Sequence, residues 1–132
     1  LKMKIPEIFK IKGENYFRKI EEKVTLKILK KNMAVISLGG GSFLNKNVRK
    51  EILSNHVSFW LNWEDQILIK RVKNSKKRPL AINLTESKLS DLIKKRSNIY
   101  SKALHKINCD GLSKSEVVKK VIAIYENKKN NN

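Results

Sequence analysis

Cysteine is nearly missing from this chain: Cys109 stands alone among 132 residues, so no internal disulfide can form. That suits a reducing, cytosolic setting, and a lone thiol in an apolar strand reads as a packing residue. Long apolar runs are lacking too. The longest, Met33 to Leu38 and Val57 to Leu61, fall far short of the roughly 20 residues a membrane helix needs. The start, Leu1-Lys2-Met3-Lys4, has neither the apolar stretch nor the small-residue cleavage site of a signal peptide. His56 and His105 have no partners at metal-ligand spacing, so no metal site is expected.

Acidic residues are scarce, 12 against 30 basic ones, for a formal net charge of +18. Such a charge is the footprint of a nucleic-acid binder. The excess, however, is almost all lysine, spread over helix faces with Asn and Ile also abundant, a mixture that a coding bias produces as well. No basic stripe interleaved with exposed aromatics and no nucleic-acid module is present. Specific nucleic-acid recognition is therefore not expected, whereas attraction of small anions is.

Among the 30 basic residues only five are arginine: Arg18, Arg49, Arg71, Arg78 and Arg96. Arginine grips carboxylate or phosphate with a planar fork that a lysine point charge cannot imitate. Four of the five stand beside loop or turn signals, which suggests a site for a small anionic ligand.

With 40% apolar residues the chain is large enough for one domain with a core. Residues 5–30 read as helical with a break at Gly13, Ile20, Val24, Ile28, Leu26 and Leu29 recurring at helical spacing. Ala34 to Leu38 reads as a strand buried on both faces, running into Gly39-Gly40-Gly41. A helix over Lys46 to Ser54 has Val48, Ile52 and Leu53 as its inner face. Val57 to Leu61 is the second strand, and Asn62 caps a helix from about Glu64. Residues 73–87 read as a mobile lid loop, since the residue before Pro79 is pushed out of helical conformation. Helix resumes over Glu86 to Arg96 and again near Tyr100. Lys106 to Cys109 is the third strand, Asp110-Gly111 a turn, and Ser113 with Glu116 a capping box for a helix to about Glu126. Residues 127–132 are expected to fray. Strands alternating with helices predict an α/β fold with a three-layer α/β/α arrangement and a parallel sheet, whose ligands bind at the carboxyl ends of the strands. Gly39 to Gly41 lie at such an end.

Three glycines after a strand let a ligand approach the backbone, or simply make a tight connection. Arg18 reads equally as a solvated helix charge, Arg96 as a charge near a helix C-terminus, and Arg78-Pro79 as a surface loop or as a phosphate-gripping lid. Arg49 is expected to be a surface residue.

Taken in order, Ile5-Pro6-Glu7-Ile8-Phe9, Gly13-Glu14 with Tyr16-Phe17-Arg18, Val35 to Gly41, Trp60-Leu61, Arg71, Arg78-Pro79-Leu80, Arg96 with Tyr100, and Asp110 to Ser113 resemble the shikimate kinase family over nearly the whole chain. The resemblance implies one domain over residues 1–132 with a P-loop, nucleoside-monophosphate-kinase-like fold, monomeric when complete. It implies phosphorylation of the 3-hydroxyl of shikimate by ATP with Mg2+, in aromatic amino-acid (chorismate) biosynthesis. Arg18 and Arg96 would grip the shikimate carboxylate, and the backbone of Gly39, Gly40 and Gly41 would position the ring hydroxyls. Arg78 would be the catalytic lid arginine at the transferring phosphoryl group, and Arg71 would lie near adenine.

The pattern G-x-x-x-x-G-K-[ST] is nowhere in these residues. The family places that loop, and a second strand with the aspartate that contacts shikimate, ahead of the Ile5-Pro6 region. The first strand would lie between the strands at 34–38 and 57–61, so these residues alone are expected to be poorly stable or to associate, with little activity. A non-catalytic shikimate-binding relative and a basic nucleic-acid-binding protein are the alternatives.

Overall fold

A computed structural model describes residues 3–74 and 84–130. The chain divides into two compact units, Leu1–His56 and Val57–Asn132.

In the first unit, α1 spans Ile5–Leu29. It starts where the Lys4 backbone N–H donates to Glu7 Oε2 at 3.0 Å, with Pro6 in the first turn where its missing N–H costs nothing. Gly13 stands at φ +80 and ψ 168 inside it, so α1 is two helical stretches joined by a kink, as expected from the break. No side chain would be obstructed there; the left-handed φ alone asks for glycine. Ile8, Thr25 and Leu29 are the buried positions. Val24 and Ile28, counted above in the apolar stripe, are exposed, because the buried line runs one residue further round the helix.

Ala34 to Leu38 was expected as a doubly buried strand and is not one. The segment forms no strand, and Val35 and Met33 are fully exposed. With no ladder partner among the described residues, only Ile36 and Leu38 of the segment are even half-buried. After Gly41 a 3-10 turn, Ser42–Leu44, leads into α2, Lys46–Asn55. Asn45 caps α2, its Oδ1 accepting from the N–H groups of Asn47 at 2.9 Å and Val48 at 3.1 Å. Val48 and Ile52 are buried as expected, but Leu53 is turned to solvent.

The second unit holds a two-stranded parallel sheet. Strand β1, Phe59–Asn62, pairs with β2, His105–Asn108, with Leu61 opposite Ile107. Parallel pairing requires a crossover, and this one carries α3, Asp65–Lys73, and α4, Glu86–Tyr100. Leu89 of α4 packs on Ile69 and Val72 of α3, with Leu84 and Ile93 around them. The final helix, α5, runs Lys114–Asn130 and covers β2 through Val117, which packs with Ile107 and Cys109. Cys109 is buried as a packing residue, and that burial pushes its thiol pKa up.

Several boundaries move. Asn62 ends a strand instead of capping α3; the orphan N–H at Glu64 is satisfied by Asp110 Oδ1 at 2.9 Å, across the sheet end. Helix α4 continues unbroken to Tyr100. The tail expected to fray from Asn127 is helical to Asn130, its last two residues lying outside the described ones. Of the lid loop expected over 73–87, residues 75–83, and with them Arg78, also lie outside the described residues. The capping box forms as read: Ser113 N donates to Glu116 Oε2 at 2.7 Å and Glu116 N to Ser113 Oγ at 3.2 Å.

Ile52→Ala should lower unfolding free energy by roughly 2–5 kcal/mol, whereas Lys50→Ala, on the exposed face of α2, should move it by less than about 0.5 kcal/mol; urea midpoints decide. Hydrogen bonds from Ser113 hold the Glu116 carboxyl below its usual range. With its folded pKa lowered, its contribution is complete above the ordinary glutamate pKa of about 4.3 and is lost as pH falls through the folded value. Glu116→Gln should therefore flatten the acid limb of melting temperature against pH.

Candidate functional site

Arg18 sits mid-helix on α1, where residues three and four apart share a face. Its Nη1 donates to Glu21 Oε2 at 2.7 Å. Its Nε and Nη2 both donate to Glu14 Oε1, at 3.3 and 3.2 Å. The guanidinium carbon also lies 5.3 Å from the centre of the Phe17 ring, which stacks obliquely on Phe9 at 4.8 Å. Partial burial works against the charge, but the hydrogen bond and charge of Glu21, then those of Glu14, outweigh it, and the Arg18 pKa is raised. Ion pairs this open to water add little stability. Their effect is to aim the fork.

The fork is aimed at the glycine triplet. A Cβ on Gly41 would fall 2.1 Å from Arg18 Nη1 and 2.8 Å from its Cζ, so the end of the Arg18 side chain occupies the space a side chain at 41 would take and would have to move for one. Gly39 faces the same cluster more loosely: its Cβ would lie 3.6 Å from Glu21 Oε1, an ordinary contact. The first unit thus joins two features that the sequence offered separately, Arg18 and Gly39 to Gly41, into one cation-and-backbone surface. Such a surface can pair with a carboxylate while backbone groups meet hydroxyls.

In the second unit, Arg71 on α3 stacks on Trp63, with its guanidinium carbon 4.7 Å from the ring centre. Arg96 on α4 has a buried Nε with no hydrogen-bond partner among the described residues. Tyr100, one turn on, lies 6.3 Å from Trp60, whose ring also carries Lys106 Nζ at 4.8 Å. All four described arginines stand within helices, Arg71 in the last turn of α3. Arg49, expected as a surface charge, is half-buried and donates through Nη1 to the carbonyls of Phe43 and Leu44 at 2.9 and 3.0 Å, closing the 3-10 turn.

Sequence reasoning gave no role to Glu14 and Glu21, although their spacing from Arg18 is the signal that finds them. It also passed over Glu22, which accepts from Asn45 Nδ2 at 2.9 Å and Asn47 Nδ2 at 2.6 Å. Nothing in the sequence marks that pairing across 23 and 25 residues.

Gly41→Ala should drive the Arg18 guanidinium off the turn, while Gly39→Ala should leave it in place. The Arg18 Nε–H resonance reports this: a shift in the first variant with none in the second is the expected pattern, and equal spectra would remove the close approach.

The family model for shikimate kinase matches residues 1–126 of the chain. The chain is 39% identical over 127 residues to a shikimate kinase of Bartonella quintana (strain Toulouse), covering 95% of itself and 60% of that relative. It thus spans less than two thirds of that relative's length. Among solved structures, it is similar to shikimate kinase from Aquifex aeolicus, with TM-score 0.83 and 33% identity over 96% of this chain and 74% of that one. It is also similar to shikimate kinase from Acinetobacter baumannii in complex with shikimate, with TM-score 0.84 and 26% identity over 95% and 71%.

Proposed function

The chain belongs to the shikimate kinase family, with its P-loop kinase-like α/β fold, and from that premise we propose that it serves the transfer of the γ-phosphoryl group of ATP to the 3-hydroxyl of shikimate. The observation that carries the reading is the Arg18 guanidinium lying on the Gly41 backbone. A ring acid with adjacent hydroxyls presents the chemistry such a surface accepts: a carboxylate for the fork and hydroxyls for the backbone. Glu21 is the closer partner of Arg18 and Glu14 the longer and more exposed one. A ligand carboxylate would therefore replace Glu14 and keep Glu21 as the anchor.

Arg96 is assigned to the same carboxylate by its motif. Its unpartnered Nε supports a role as donor, because a buried N–H without an acceptor is costly until something satisfies it. Arg78 is assigned to the transferring phosphoryl group, whose spread charge a guanidinium can neutralise. Arg71, held flat by Trp63, is assigned beside the adenine. In the transfer itself the 3-hydroxyl oxygen bonds to the γ-phosphorus as the bond to the bridging oxygen breaks, ADP leaves with that oxygen, and the hydroxyl proton passes to solvent water. Magnesium would arrive with ATP, bridging its phosphates; among the described residues no group of three His, Cys, Asp or Glu could hold a metal ion by itself.

The test uses the natural full-length protein. Arg18→Lys and Arg96→Lys should each weaken shikimate binding about tenfold or more, since an ammonium cannot replace the fork, with the KM for ATP little changed. Arg78→Ala should instead lower kcat. Shikimate binding without MgATP turnover would point to a non-catalytic relative. Unchanged kinetics in all three variants would refute the site.

A further inference from the structure

In a chain so rich in lysine, Glu22 makes an unusual choice of partners: it accepts from the two side-chain amides of Asn45 and Asn47. These bonds lower its pKa, that from Asn47 most. Glu22 is four residues from Arg18, one turn along the same face of α1. Asn45 is held twice over. Its Oδ1 caps α2 while its Nδ2 reaches Glu22, which fixes the orientation of the amide. Its backbone N–H donates to Ser42 O at 3.2 Å, Ser42 N donates to Gly39 O at 3.0 Å, and Leu44 N donates to Gly41 O at 3.1 Å. Arg49 braces the same turn from the α2 side. Gly39 to Asn45 is therefore one short, hydrogen-bonded piece, and Glu22 ties its Asn45 end to the helix that carries Arg18.

We propose that Glu22 is a positioning residue: by holding Asn45 it fixes the spacing between the Gly41 backbone and the Arg18 guanidinium, and so sets affinity for the carboxylated acceptor. The inference rests on the reading of that pair as the acceptor site. Arg18 Nη1 lies 2.1 Å from where a Cβ on residue 41 would be, so the position of the turn sets which part of the backbone the fork can act beside. Neither Glu22 nor Asn45 needs to touch the ligand.

The amide chemistry permits a swap. Asn45→Asp keeps the cap, since Asp serves there as well as Asn, but sets a second carboxylate against Glu22. Combining it with Glu22→Gln restores the contact with donor and acceptor exchanged, and the new amide keeps an oxygen for Asn47. In the full-length protein, Asn45→Asp should raise the KM for shikimate about tenfold and leave the KM for ATP unchanged. The double variant should return to within about threefold of the wild type. Amide exchange at Ser42 and Leu44 should quicken in the single variant and recover in the double.

A shikimate KM untouched by Asn45→Asp, a loss the double variant fails to repair, or a loss of both substrates in step with melting temperature would overturn the proposal. Should the wild type bind no shikimate, the acceptor reading falls, and the substrate half of the proposal with it. The exchange data still judge the clamp in that case: quickening that the swap repairs upholds it, and unchanged exchange refutes it.

Discussion

The Arg18 guanidinium lies where a side chain on residue 41 would have to be, and that single close approach organises the first unit. A cation resting on backbone needs a glycine beneath it, a pair of carboxylates to aim it, and a turn rigid enough to stay put. All three are present. Glu14 and Glu21 share the face of α1 with Arg18, while the turn after the glycines is stitched by its own backbone bonds and by Arg49. Each contact is modest and partly exposed. Their combined effect is directional: they select one orientation for a long side chain that would otherwise sample many.

One stripe of α1 therefore has two duties. Ile8, Thr25 and Leu29 on it are buried, while Glu14, Arg18, Glu21 and Glu22 present charge. The kink at Gly13 separates the stretch bearing Glu14, Arg18, Glu21 and Glu22 from the opening turns. The second unit solves a different problem. Its parallel strands are joined by a crossover, and Asp110, just after β2, accepts from the backbone N–H of Glu64, the residue that caps α3. The sheet end and the helix start are thereby fixed together, in the region where α/β folds bind their ligands.

Much of the architecture was legible because it is local. The Gly13 break, the α2 inner residues Val48 and Ile52, the Ser113–Glu116 capping box and the burial of Cys109 depend on neighbours within a turn or on simple apolarity. Misreadings arose where a partner strand decides. Ala34 to Leu38 is as apolar as a core strand, yet Val35 is fully exposed, because a strand is buried only by what pairs with it and covers it. Leu53, Val24 and Ile28 went astray by one step around a helix, a rotation that periodicity alone leaves loose.

The sequence by itself determined the family, through an ordered set of short motifs, and the candidates Arg18, Gly39 to Gly41 and Arg96, because residue chemistry and order survive without coordinates. It also determined which arginines were worth attention, since a fork is chemically distinct from an ammonium. Only the tertiary structure decided that Arg18 meets Gly41, that Arg49 braces a turn instead of facing water, and that Glu22 reaches across to Asn45. The first and last of these join segments more than 20 residues apart in sequence, and even the Arg49 bracing, five and six residues back, depends on how the turn folds onto α2, which no local propensity encodes.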